Sequence, residues 1–138
     1  MTVLPVIVDT CVWSLALRRP VLLRSPVEAE LASLVLDGRI LMIGPIRQEI
    51  LSGIREPAQF RKLRQHLAAF PDVPLLAEDY ETAAAYFNRC RSKGIQGSNT
   101  DFLICAVATR LEVPVFTTDK DFLGFAKCVP VMGYEWAG

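Results

Sequence analysis

At 138 residues the chain has the length of one domain, and its 51% hydrophobic content is enough to fill a single core. Fifteen basic and fifteen acidic side chains cancel, which excludes a bulk positive field; any attraction for nucleic acid has to be local. The mean hydropathy of +0.30 is high for a soluble chain, yet no apolar run approaches the roughly 18 residues of a membrane span.

The start, MTVLPVIVD, lacks a basic leader region and meets Asp9 before a secretory apolar core could form, so the expected compartment is the cytoplasm. Cys11, Cys90, Cys105 and Cys128 are scattered without CxxC or Cys/His spacing. That pattern excludes a zinc site and a disulfide framework, and it fits a reducing environment.

In chain order, residues 5–9 read as a short buried strand, Val/Ile-rich and ended by Asp-Thr. A short helix (CVWSLAL) follows and stops near Arg19-Pro20. Ser25-Pro26 reads as an N-cap with Pro at the first helical position, starting a helix that ends at Gly38. Residues 40–43 form the second strand, and Gly44-Pro45 opens a helix whose Ile46, Ile50 and Ile54 make an apolar stripe with Glu49 at its edge. Pro57 to Phe70 is helical, residues 74–77 are a brief strand, and Glu78 to about Lys93 is a long helix closed by Gly94. Gly97-Ser98-Asn99 marks a turn and cap, with Asn99 the expected cap residue. A helix follows with Leu103, Val107 and Leu111 on one face. Residues 114–117 are the fourth strand, Asp121 to about Ala126 a short helix, and 128–132 a final strand. The alternation predicts an α/β fold, a three-layer sandwich with a mostly parallel sheet of about five strands flanked by helices, and one domain over 1–138.

Four acids fall where such a fold presents the carboxyl-end rim of its sheet, the edge at which open α/β sheets bind ligands. Asp9 closes the first strand, Glu49 lies in the helix after the second, Asp101 opens a later helix, and Asp119 follows the fourth strand. Each alone has a structural explanation, as a cap, an early helix acid favoured by the macrodipole, or an exposed helix residue. Together they would repel one another unless some were protonated or a cation sat among them. Carboxylates without His or Cys suit Mg²⁺ or Mn²⁺. The single histidine, His66, sits among charged neighbours in a helix and reads as a surface residue, so general base work falls to a carboxylate or to a metal-bound water. Candidate local RNA contacts are Arg18, Arg19 and Arg24; Arg61, Lys62 and Arg64; and Arg89, Arg91 and Lys93. Trp13 is expected to pack against the core, the alternative being base stacking beside Asp9.

The segments VIVDTCVW, IRQEILSGI, GSNTDFLICAVA and VFTTDKDF occur in order and with family-like spacing. They resemble the signature segments of the PIN-domain family, and more closely its VapC-type ribonuclease toxins. The resemblance covers nearly the whole chain. It implies a PIN-like central parallel sheet, a Mg²⁺- or Mn²⁺-dependent endoribonuclease hydrolysing RNA by metal-activated water, a homodimer, and inhibition by a small antitoxin protein. The family's acids fall on Asp9, Glu49, Asp101 and Asp119, and a further one on Asp121, which either touches the metal or stands behind it. Thr10 and Thr117 match the family's small hydroxyl positions, where they would orient carboxylates or bind phosphate. The expected docking face for an antitoxin is a groove between the Pro26–Asp37 and Pro45–Phe70 helices.

Two other readings stand beside this one. An Asp-nucleophile phosphatase would need a second Asp two residues after Asp9, where this chain has Cys11. A PIN-fold module that binds RNA or antitoxin without turnover would share every residue discussed above.

Overall fold

The computed structural model describes residues 3–18 and 25–137. The expected helix stop at Arg19-Pro20, and Arg19 and Arg24 themselves, lie outside the described residues.

Val6–Val8 form strand β1, fully buried along its length, as a Val/Ile run covered on both faces should be. Helices α1 (Thr10–Arg18) and α2 (Pro26–Leu36) follow, the latter capped by the Ser25 hydroxyl with Pro at its first position. Next come β2 (Ile40–Leu41), α3 (Gly44–Leu51) and α4 (Pro57–Leu67). The second half holds α5 (Ala77–Ser92), α6 (Asn99–Leu111), β3 (Val115–Phe116) and α7 (Asp121–Cys128). Gly94, at φ +76°, closes α5 in the left-handed region that favours glycine.

The sheet is parallel with order β2-β1-β3, pairing Val6 with Ile40 and Val8 with Phe116. Beyond these three strands there are two single bridges, Met42 with Asp72 and Val115 with Gly133, where Asp72 and Gly133 each fall just outside the range expected for a further strand. The expected 74–77 strand is absent: Pro71 and Pro74 offer no N–H for a ladder, and only Val73 N–H bonds to the Met42 carbonyl. The expected 128–132 strand is likewise displaced, because α7 runs on to Cys128 and pairing with β3 begins only at Met132 and Tyr134.

Helices flank the sheet in two groups. α1 packs on α2 and α3, and α3 on α4, while α5 packs on α6 and α7. Phe102, Phe116 and Phe125 are among the largest fully buried side chains. Gly97 is required by this packing, since a Cβ there would lie 2.5 Å from the Phe125 ring and 3.0 Å from that of Phe102. Trp13 is buried with its ring edge-on to Phe70, so it packs rather than presenting a face to a base.

Because β2 and β3 lie on opposite sides of β1, the chain reverses direction across the sheet at the carboxyl end of β1. Such a switch point opens a crevice between the loops leaving two adjacent strands. Here those loops carry Asp9 and the Thr117–Asp119 segment.

Candidate active site

Asp9 follows β1 directly and is only 6% exposed. Its main-chain carbonyl accepts from Val12 and Trp13, which starts α1. Its carboxylate accepts the Thr10 N–H at 2.8 Å and the Thr117 hydroxyl at 2.8 Å. Burial raises the pKa of this carboxyl; the hydrogen bonds from Thr117, Thr10 and Cys11 work against the rise, and the charge of Asp101 adds to it. The crevice therefore contains a carboxylate whose ionisation is opposed by its surroundings and by a second acid.

Asp101 occupies the third position of α6 in a capping box. Its side chain accepts from the Ser98 N–H at 2.9 Å, and its own N–H donates to the Ser98 hydroxyl at 3.0 Å. The cap is thus Ser98, and the expectation for Asn99 is corrected: Asn99 is already the first residue of the helix. Glu49, exposed on α3, accepts the Thr10 hydroxyl at 2.6 Å. On the other side of Asp9, the Thr117 hydroxyl accepts the Asp119 N–H at 3.0 Å while donating to Asp9. Asp119 in turn accepts the Asp121 N–H at 2.9 Å, opening α7. Asp121 itself is exposed.

Thr10 and Thr117 therefore join Glu49, Asp9 and Asp119 into one hydrogen-bonded chain, with Asp101 coupled to Asp9 through its charge. The donors are carboxylate and hydroxyl oxygens, a set that fits a hard divalent cation and not zinc. Among the described residues, no three Asp, Glu, His or Cys side chains converge closely enough to hold an ion in this arrangement.

Cys11 is the neighbour that the sequence did not single out for this site. Its sulfur lies 3.5 Å from Asp9 Oδ2 and from Thr117 Oγ1, and 3.3 Å from Thr118 Oγ1. Its place two residues after Asp9, at the start of a helix, was the available signal. Thr100, Ser14, Gln48 and Ser52 join Thr10 and Glu49 around a hollow of about 480 Å³. That hollow shares Ser14, Glu49 and Ser52 with a groove of about 520 Å³ between α1, α3 and α4, which His66 and Lys62 also line. No residue of α2 lines that groove. Arg91 lies elsewhere, at a small hollow with Phe87 and Phe102, and Arg89 is engaged with the Tyr86 ring and the Cys128 carbonyl.

A parallel α/β domain whose central strand ends on a buried carboxylate at the switch point defines the class, one with an acidic crevice at its sheet edge. Residues 6–127 match the PIN domain, and the chain belongs to the PIN-domain family. Its fold is shared with FitAcB from Neisseria gonorrhoeae, at 20% identity and TM-score 0.73 over 94% of this chain and 96% of that one. It is likewise similar to VapBC2 from Rickettsia felis bound to a promoter DNA fragment, at 18% identity and TM-score 0.74 over 97% and 100% of the two chains. A toxin–antitoxin complex from Klebsiella pneumoniae is similar at 17% identity and TM-score 0.62 over 86% and 91%. Comparison with curated proteins finds no match.

Proposed function

We propose that this chain is a divalent-metal-dependent endoribonuclease, the toxin of a toxin–antitoxin pair. One observation carries the reading: a buried Asp9 carboxylate stands at the switch point of a PIN-domain sheet, beside the charge of Asp101. Asp9, Glu49, Asp101 and Asp119 would hold Mg²⁺ or Mn²⁺, with Asp121 as a further acid beside them. Such an ion would polarise a water molecule and neutralise charge on the scissile phosphate.

The remaining work falls to the chain's own groups. The Thr10 N–H and Thr117 hydroxyl keep Asp9 oriented and oppose its protonation. The Thr10 hydroxyl positions Glu49 at the mouth of the crevice. Ser98 fixes Asp101, and Thr117 links the loop of Asp119 to Asp9. Among these groups only carboxylates can take the proton of the attacking water as phosphorus gains one oxygen and releases a bridging one.

A toxin–antitoxin complex among the structurally similar proteins supports an antitoxin partner for this chain. None of its described helices is long and apolar enough to cross a membrane.

The test is cleavage of RNA by the purified chain with and without Mg²⁺, beside Asp9→Asn and Asp101→Asn variants that keep the wild-type circular dichroism. Cleavage that requires the ion and falls at least about 100-fold in either variant is expected. Wild-type cleavage by Asp9→Asn with Mg²⁺ present would show the site assignment to be wrong. RNA retention without any cleavage would identify a binding module.

A further inference from the structure

The sequence offers three clusters of cations, and Lys62 of the α4 cluster lines a groove beside the crevice. α4 contains Arg61, Lys62 and Arg64 and no acidic residue. All three are exposed, and among the described residues none of them is in an ion pair. Gln59, Lys62 and His66, at helical spacing on one face of α4, line the same groove as Glu49. Ser14, Glu49 and Ser52 line both that groove and the hollow beside Thr10, so the two lie side by side.

The position of α4 is held from α3. The Arg47 guanidinium bonds to Asp72 at 2.9 Å, to the Leu67 carbonyl at 3.0 Å and to the Phe70 carbonyl. This ties the end of α4 to α3 and sets the walls of the groove. The result is one lysine, Lys62, facing the same groove as Glu49 beside the acidic crevice, in a chain whose net charge is zero.

We propose that this groove carries the single-stranded RNA leading to the acidic crevice, with the Lys62 ammonium paired to a backbone phosphate away from the scissile one. The proposal rests on the ribonuclease reading and assigns the substrate's path within it. Lys62 is a positioning residue. Its charge offsets the repulsion that Glu49 and the other acids impose on an approaching phosphate chain. Lys62 is the one ammonium or guanidinium among the lining residues, and its charge is drawn to phosphate, while Leu17, Ile54, Leu63 and the single imidazole of His66 line the groove around it. The contact is therefore to the backbone, and it tolerates sequence.

The experiment measures binding of a labelled single-stranded RNA of about 12 nucleotides by fluorescence anisotropy, in chelator so that the strand stays whole, across a salt series. Steady-state cleavage with Mg²⁺ is measured in parallel. Lys62→Ala is compared with Lys62→Arg, and with Lys127→Ala on α7 as a control. Expected for Lys62→Ala is about three- to tenfold weaker binding, a salt slope smaller by about 0.7, and a raised KM with kcat kept. Lys62→Arg restores all three, and Lys127→Ala changes none. If the wild type cleaves RNA while Lys62→Ala binds it with wild-type affinity and slope, the groove is not the RNA path and the ribonuclease reading stands. If the wild type neither binds nor cleaves RNA, both fall. A loss of kcat that Lys62→Arg does not rescue would mark a structural role and overturn the proposal.

Discussion

Burial raises the pKa of Asp9 and the charge of Asp101 adds to the effect, while Thr117, Thr10 and Cys11 pull it down without prevailing. A carboxyl whose folded-state pKa is raised contributes stability below its ordinary pKa, and loses that contribution as pH rises through the raised value. At neutral pH without a divalent ion, the ionised Asp9 is therefore a cost to the fold. Asp9→Asn is expected to melt a few degrees above the wild type in chelator at pH 7. Mg²⁺ should raise the wild-type melting temperature, by about 1.4 kcal/mol of stability at ten times its Kd, and leave Asp9→Asn unmoved. Scanning calorimetry with and without Mg²⁺ checks both, and an equal response of the two proteins would count against Asp9 as a ligand. Thr10 and Thr117 illustrate what one residue can disclose. Their hydroxyls suggested a capping role as readily as a site role, and it is the distances to Glu49 and Asp9 that place both in the site's hydrogen-bond network.

Between elements, the tie of α5 to α6 is the clearest energetic feature. Asp79 near the start of α5 is buried and accepts the Leu76 N–H at 2.8 Å, capping the helix. It also takes a two-pronged contact from Arg110 of α6, at 2.8 and 2.9 Å. Burial opposes ionisation of Asp79, but Arg110 and the Leu76 N–H outweigh it and its pKa is lowered. A lowered carboxyl contributes stability above its ordinary pKa and loses it as pH falls through the folded value. Asp79→Ala is expected to cost about 2–3 kcal/mol at pH 7, from the lost cap and the broken pair, and less in acid. Urea unfolding at pH 7 and in acid measures this, and a cost unchanged by pH would sink the assignment to the ion pair. The pairing could not be read from sequence, because Asp79 and Arg110 are 31 residues apart and look like surface charges.

For the whole molecule, the high hydropathy has two destinations. Most apolar side chains enter the core, but Leu36 is 87% and Leu123 70% exposed, and Val3, Leu4 and Tyr80 are also on the surface. We propose that a second copy of the chain covers part of this apolar surface. Sedimentation velocity at micromolar concentration should give twice the chain mass, and a monomer across that range would remove the expectation.

Length, the Val/Ile strand, the Ser-Pro and Pro-opened helices and the acids at strand and helix ends determined the α/β class, most helix positions and the identity of the candidate acids. These features are local, because propensity, capping and strand burial are written within a few residues. The edge strands were misjudged, because whether a short apolar run pairs depends on neighbours and on N–H groups that Pro71 and Pro74 do not have. Only the tertiary structure decided that β1 lies between β2 and β3, so that Asp9 meets Thr117 from 108 residues away. It also decided that Arg47 sets α4 beside α3, bringing Lys62 and Glu49 into one groove. Such contacts arise from chain crossovers and side-chain packing over long sequence separations, which no local pattern encodes.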